Sequence, residues 1–103
     1  MRIARQTIVH PTAGMTQRVE AVLDELESTY STFPGYILGF RYKSHTMVGP
    51  VGRLAIWRSL DDANHASGNT HVQALRSQLN NLIQGEHVEH VLEVEGAPQN
   101  LPE

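Results

Sequence analysis

The chain has 103 residues, of which 40% are hydrophobic and 18% are charged, and its formal net charge is −3. This length and composition predict one globular domain, which we place at residues 1–96, followed by a short tail at residues 97–103. The acidic balance argues against nucleic acid and membrane as partners, because nucleic acids and anionic membranes bind basic surfaces. Cysteine is absent, so disulfides and thiolate chemistry are excluded. Since no apolar run has transmembrane length and no signal peptide is recognisable, we expect a cytoplasmic protein.

The first half of the chain predicts a strand, a helix and a second strand. Residues 2–10 alternate and are rich in β-branched side chains, which is typical of a strand, and a proline follows them. Residues 15–30 carry apolar side chains at helical spacing, which predicts an amphipathic helix. Residues 36–43 are rich in aromatic and β-branched side chains and predict the second strand. Gly39 inside this strand indicates a bulge or a close approach of another group to the backbone.

The second half predicts a third strand, two helices and a last strand. Residues 53–58 form the third strand, and Ser59 is the expected N-cap of a short helix, because its hydroxyl can accept from free amides of the first turn. A second helix begins beside His71 and has Gly85 as its expected C-cap. Residues 87–95 are the expected fourth strand.

The element order β-α-β-β-α-α-β predicts an α+β fold of the ferredoxin-like, split βαβ type. Four strands in this order form an antiparallel sheet with the helices on one face. The third strand contains the run LAIW at residues 54–57, which is apolar on both faces, so the second face of the sheet also needs a cover. Another copy of the same sheet is the simplest cover, which predicts a homodimer. Even spacing puts Tyr36 and Tyr42 on one face of the second strand, either in this interface or under a flat apolar ligand.

The order and spacing of three segments resemble antibiotic biosynthesis monooxygenase-type domains. These segments are FPGYILGF at residues 33–40, IWRS at residues 56–59, and the pair His65 and His71 in the helices that follow. The resemblance extends from residue 2 to about residue 96. It implies a dimeric α+β barrel of ferredoxin-like protomers, with a small pocket between sheet and helices in each. Members of the family include cofactor-independent monooxygenases of aromatic polyketides, haem-degrading proteins and isomerases of small signalling molecules.

The site residues of the known branches do not carry over to this sequence. The positions of the haem-degrading branch are occupied here by Gln6, His65 and Ala74, and none has the residue type of that branch. The positions of the polyketide-oxidising branch are occupied by Asp61, His65 and His71, which also differ in type. Quinol-type and uncharacterised members carry histidines near the last two positions, and the sequence resembles these members more.

His65 and His71 are the candidate catalytic residues. A histidine acts as a general base near neutral pH, or it orients a phenolate or carbonyl oxygen. In one unbroken helix, residues six apart are rotated by about 600° and lie on roughly opposite sides. The break at Gly68 and Asn69 would allow both imidazoles to face one pocket. The alternative interpretation is that they are capping or surface histidines.

Four further residues are candidates for binding a substrate. Trp57 would be a pocket wall, although a core position is the commoner role of such a tryptophan. Arg53 could reach an anionic or quinone oxygen, while Gln6 and Asp61 are candidates because of their positions in the family. No cofactor is expected. His87 and His90 have odd spacing in the last strand and therefore face opposite sides, so they do not supply the three or four convergent ligands of a metal site.

Two functions of different classes remain open from the sequence. The first is cofactor-independent oxidation of a phenol, a quinol or a similar electron-rich ring, in which the deprotonated substrate itself reduces oxygen. The second is a non-catalytic homodimer that binds a small apolar ligand or serves as a structural module. A pocket large enough for an aromatic ring with an imidazole facing inward would support the first function. A filled space between sheet and helices would support the second.

Overall fold

The structure, a computed structural model, describes residues 1–96 and contains the seven elements in the predicted order. Their bounds are β1 (Ile3–Val9), α1 (Thr16–Tyr30), β2 (Tyr36–Lys43), β3 (Val51–Trp57), α2 (Leu60–Ser67), α3 (Thr70–Asn80) and β4 (Val88–Glu93). The predicted tail, residues 97–103, lies outside the described residues. Among the helices of residues 1–96, none is long and apolar enough to cross a membrane.

The four strands form one antiparallel sheet in the order β2-β3-β1-β4. This arrangement confirms the predicted α+β, split βαβ fold. In the β1–β3 pair, Ile3 lies opposite Trp57 and Val9 lies opposite Val51, so side chains of equal parity in both strands share a face. One face of the sheet packs against all three helices, and we call it the helix face. We call the other the open face.

The hydrophobic core lies between the helix face and the three helices. Each helix contributes a stripe of buried side chains at helical spacing, and β1 and β3 contribute every second residue. The largest fully buried side chains are Trp57, Leu23, Leu75, Val9, Val19 and Val72. Dense packing of this kind leaves few voids larger than a water molecule between sheet and helices.

Side-chain caps begin the two short helices. The hydroxyl of Ser59 accepts from the backbone N–H of Asp62 at 3.1 Å, which confirms the predicted N-cap of α2. Asn69 caps α3, because its Oδ1 accepts from the N–H groups of His71 and Val72 at 2.9 and 3.2 Å. The cap at Asn69 therefore stabilises the break between the two helices and leaves the side chains of His65 and His71 outside the capping bonds.

The end of α3 differs from the sequence prediction. The helix ends at Asn80 with Asn81 as its C-cap, four positions before the predicted C-cap Gly85, which has a φ of +65° in the following turn. The reason is that the backbone after Asn80 bonds to the end of β1. The N–H of Thr12 donates to the carbonyl of Leu82 at 2.9 Å, so these groups are not free to continue the helix.

A bulge in β2 places two tyrosines on opposite faces of the sheet, although the sequence predicts that they share one face. The register of β2 against β3 shifts between Tyr36 and Leu38. Because an extra residue reverses the alternation, Tyr36 lies on the helix face and Tyr42 lies on the open face. The prediction that both share one face is therefore wrong. The bulge is not at Gly39, where the structure instead shows the alternative that the sequence left open, a close approach of a carboxylate to the backbone.

The open face is largely apolar and is not covered in the single chain. Three of its side chains are prominently exposed, with 49% for Phe40, 46% for Val88 and 43% for Leu92. The remaining apolar members of this face are Ala4, Ile8, Leu38, Leu54 and Ile56. A row of this size is what a sheet presents to a second apolar layer.

Candidate functional site

The residues that the sequence singles out lie in separate parts of the molecule. His65 is exposed on α2, where its ring lies 6.2 Å from the ring of Phe33 in an edge-to-face contact. His71 is exposed at the start of α3, with its Nε2 3.6 Å from Oε1 of Glu25. Asp61 is exposed in the first turn of α2. These three predicted site residues do not line the cavities described below, and their roles stay predictions.

The other predicted site residues lie on both sides of the sheet. Trp57 is 1% exposed in the core and packs edge to face against two tyrosine rings, at centroid distances of 5.8 and 5.4 Å. Gln6 lies on the open face, where its Nε2 donates to Oη of Tyr42 at 2.5 Å. Arg53 lies on the helix face and is 3% exposed. Because the sheet separates Gln6 from Arg53, the predicted set does not form one site.

Arg53 is the centre of a buried polar network. Its Nε donates to Oε1 of Glu27 at 2.9 Å, and its guanidinium lies 4.5 Å above the ring of Tyr30. The other carboxylate oxygen of Glu27 accepts from the hydroxyl of Tyr36. Burial, together with the hydrogen bond to Glu27 and the charge of Glu27, raises the pKa of Tyr36 above its ordinary value, so this hydroxyl is a donor at neutral pH.

Gly39 makes room for this network. A Cβ atom at Gly39 would collide with the carboxylate of Glu27 and would lie 2.5 Å from the hydroxyl of Tyr36. The glycine therefore allows the Glu27 carboxylate to lie directly against the β2 backbone, between Tyr36 and Arg53.

One atom of the network has no partner. Nη2 of Arg53 is buried and makes no hydrogen bond with any group of residues 1–96. A buried donor without an acceptor is destabilising by about 1–3 kcal/mol, so native proteins usually supply one. This atom is therefore the strongest local indication that a further group belongs here.

Arg53 lines a small cavity between the sheet and the helices. The cavity has about 10 Å³ open to the centre of a water molecule, which is enough for about one water. Its wall consists of Thr7, Leu26, Arg53, Arg76, Leu79, Asn80 and His87. An oxygen atom in this cavity is the acceptor best placed to serve Arg53.

A second charged cluster lies at the outer side of the cavity, on α3 and β4. Both guanidinium nitrogens of Arg76 donate to the carboxylate of Glu89, and one of them also lies 3.4 Å from Oη of Tyr30. Arg5 donates to the same carboxylate at 3.2 Å. Nε2 of His87 lies 3.3 Å from Arg76 Nη2 and 3.3 Å from Glu89 Oε2.

Arg76 and Glu89 stabilise each other in the charged form. Burial alone would raise the pKa of Glu89, but the hydrogen bond from Arg76 and the charges of Arg76 and Arg5 outweigh it and hold that pKa below its ordinary value. Burial alone would lower the pKa of Arg76, but Glu89 raises it above the ordinary value. Both groups are therefore charged at neutral pH.

An open recess adjoins the cavity at two shared side chains. The recess has about 420 Å³ of space and is lined by Asn80, Gly85, Glu86 and His87. Asn80 and His87 also line the inner cavity, and Nδ1 of His87 lies 3.3 Å from Oδ1 of Asn80. This pair of side chains is therefore shared by the open recess and the cavity at Arg53.

A further cavity of about 440 Å³ lies at the other end of the sheet, under the β2–β3 loop. Exposed loop residues form most of its wall, including Met47 and Val48, which are 64% and 105% exposed. It contains no unpartnered buried polar atom of the described residues. The recess and cavity beside Arg53 are therefore the better candidate site.

Sequence reasoning identified Arg53 in this site and missed its partners. Glu27, Arg76 and Glu89 were not among the candidate residues. His87 was considered only as a metal ligand. A usable signal was present for Glu27, which lies four residues after Leu23 and three before Tyr30 and so shares their buried stripe.

The same fold occurs in several solved structures. Rv0793 from Mycobacterium tuberculosis superposes with a TM-score of 0.87 at 18% identity, covering 96% of this chain and 100% of that chain. SnoaB from Streptomyces nogalater, described as a cofactor-independent oxygenase, superposes with a TM-score of 0.75 at 18% identity, covering 99% of this chain and 98% of that chain. A protein described as an antibiotic biosynthesis monooxygenase superposes with a TM-score of 0.80 at 10% identity, covering 91% of this chain and 99% of that chain.

These likenesses identify the fold. The chain is an α+β protein of the split βαβ type, and more particularly it has the fold of antibiotic biosynthesis monooxygenase-type domains, as its sequence resemblance predicts. No protein-family model and no curated protein sequence matches the chain. At 10–18% identity the structural likeness carries the fold and does not carry an activity.

Proposed function

We propose that this chain is a homodimeric protein that binds a small aromatic or quinol-type molecule and oxidises it with O₂, without a cofactor. The observation that carries the proposal is Nη2 of Arg53, a buried donor without a protein partner among residues 1–96, in a side chain that lines a cavity. The likeness of the fold to SnoaB supports the class of reaction. The cytoplasmic location expected from the sequence remains a prediction.

The open face of the sheet supports the homodimer. Phe40, Val88 and Leu92 are 43–49% exposed there, and the helices of the same chain all lie on the other side. A second copy of this face would bury the apolar rows of both chains at once. The two sheets would then face each other as in a dimeric α+β barrel.

The recess and the inner cavity suggest how a ring would bind. The recess is wide enough for an aromatic ring, whereas the cavity accepts about one oxygen atom. In the proposed complex the ring occupies the recess, Asn80 and His87 move apart, and a phenolic oxygen reaches Arg53. Leu26 and Leu79 provide the apolar part of the inner wall.

The proposed chemistry needs a base and a hydrogen-bond donor that stabilises the phenolate oxygen. His87 is the imidazole at the cavity wall, and a nitrogen of its ring would take the phenolic proton. In the proposed complex Nε2 of His87 turns away from Arg76 and Glu89, which each lie 3.3 Å from it, and Arg76 keeps Glu89 and Tyr30 as acceptors. Arg53 would then stabilise the phenolate, which reduces O₂ directly, so that a phenol and O₂ give a quinone and water.

Oxygen uptake with a panel of phenols and quinols tests this proposal. We expect a responsive substrate and a loss of about 100-fold in its rate in the variant His87→Ala, the usual contribution of one general base. Circular dichroism would establish that the variant is folded. An absence of oxygen uptake with every compound of the panel would contradict the oxidase proposal.

His65 and His71, the bases predicted from the sequence, provide the matched comparison. Both are exposed, and the edge-to-face contact of His65 with Phe33 would support a ligand site on α2. If the double variant His65→Ala/His71→Ala loses the activity while His87→Ala retains it, the site lies on α2 and not beside Arg53.

A non-catalytic homodimer that binds a small ligand is the second candidate function. The small inner cavity, about 10 Å³, favours it, because a filled space between sheet and helices leaves little room for chemistry on a ring. Binding of aromatic compounds without any oxygen uptake would support this function.

A further inference from the structure

The partly buried side chains around Glu89 carry more positive than negative charge, whereas the carboxylate of Glu86 is exposed at the wall of the recess. The single carboxylate of Glu89 forms ion pairs with two guanidiniums, those of Arg5 and Arg76. Arg53 and Glu27 form a neighbouring ion pair that has no net charge. Three arginines therefore share two carboxylates, in a chain whose formal net charge is −3. Partly buried charge of one sign is destabilising unless a counter-charge joins it.

Nη2 of Arg53, a buried donor without a hydrogen-bond partner among residues 1–96, is an independent observation that also points to an anionic ligand. This nitrogen needs an acceptor, and the Arg53 side chain lines the same cavity as Arg76 and His87. A water molecule would fit the cavity and would satisfy the hydrogen bond. Water would leave the surplus positive charge unchanged, whereas an anionic oxygen would satisfy the donor and neutralise the charge together.

We infer that the ligand of this site is an anion, a small aromatic ring that carries an ionised carboxylate or phenolate oxygen. The oxygen accepts from Nη2 of Arg53 and lies on the side of the cavity that Arg76 lines. This inference rests on the proposed function in one respect, because it assigns the ligand to the same recess and cavity. It goes beyond that function because it assigns the bound ligand a negative charge at Arg53, whether a carboxylate or a phenolate carries that charge.

A comparison of matched ligands on the unaltered protein tests the inference. Benzoate and benzamide have nearly the same shape and differ in charge, and a nitrophenol that is ionised at the assay pH represents the phenolate class. By isothermal titration calorimetry we expect the dissociation constant of an anion to be about 10-fold lower than that of benzamide, or lower still, because hydrogen bonds to charged groups are the stronger ones. Benzoate and the nitrophenol separate the carboxylate from the phenolate.

A matched pair of variants locates the binding. Arg76→Gln removes the surplus charge, and we expect it to weaken benzoate binding about 10-fold while benzamide binding stays unchanged. Arg41→Gln is the control, since Arg41 also pairs with carboxylates, those of Asp24 and Glu20, but projects toward α1 from the edge strand β2. Equal binding of benzoate and benzamide, no binding of either anion, or an equal loss in both variants would overturn the inference.

The failure of this inference and the failure of the proposed function give different results. If quinols are oxidised but benzoate and benzamide bind equally, the oxidase stands and its ligand is neutral. If anions bind at Arg76 but oxygen uptake is absent, the anion site stands and the protein is not an oxidase.

Discussion

Replacing Glu27 by leucine is expected to lower the free energy of unfolding by about 3–5 kcal/mol, because it leaves the buried charge of Arg53 without its partner. Glu27 accepts from Arg53 at 2.9 Å and also from Tyr36, and the Arg53 side chain is 3% exposed. Both donors would lose their acceptor in the same variant. Urea denaturation of the purified variant measures the loss.

Two controls separate the ion pair from a general effect on α1. Glu25→Leu changes an exposed glutamate of the same helix, whose side chain is 55% exposed, and should cost less than about 1 kcal/mol. The double variant Glu27→Leu/Arg53→Met removes both charges, and it should be more stable than Glu27→Leu alone. If Glu27→Leu is as stable as Glu25→Leu, the network around Arg53 does not contribute as described.

Replacing Ile56 by aspartate is expected to dissociate the proposed homodimer and raise its dissociation constant by about 100-fold or more. Ile56 lies on the open face between Leu38 and Ala4 of the neighbouring strands, so the new carboxylate would be buried between two sheets in the dimer. In the single chain the position is half-exposed, so the carboxylate stays hydrated there and the monomer should remain folded.

Sedimentation velocity at micromolar concentration measures this effect. The unaltered protein should sediment as a dimer and the Ile56→Asp variant as a monomer, with circular dichroism establishing that both are folded. Gln73→Asp is the matched control, because Gln73 is exposed on α3 in the helix layer and should leave the dimer intact. A monomeric unaltered protein would contradict the proposed homodimer.

The fold could be predicted from the sequence because periodicity and capping signals are local. The alternation in β1, the apolar stripes of the helices and the cap at Ser59 each depend on residues close in sequence. The errors came from interactions with distant residues. The end of α3 depends on hydrogen bonds with His10 and Thr12, and the face of Tyr36 depends on a bulge against β3.

The candidate site was less predictable, because its polar contacts join residues far apart in sequence. Arg53 reaches Glu27 on α1, and Arg76 on α3 meets Glu89 on β4 and shares it with Arg5 on β1. Such pairs have no signature in a single sequence, since solvated arginines and glutamates have the same local pattern. The histidines His65 and His71 were conspicuous by their spacing alone, and that spacing does not report whether a side chain faces a cavity.

We propose that a small aromatic molecule binds in the recess with its oxygen beside Arg53. A two-dimensional NMR titration of the ¹⁵N-labelled protein with a responsive quinol or benzoate tests this most directly. We predict that the largest shifts belong to the amides of Thr7, Asn80 and His87 and to the guanidinium of Arg53. Shifts confined to the β2–β3 loop, to the open face, or to α2 around His65 would contradict the claim.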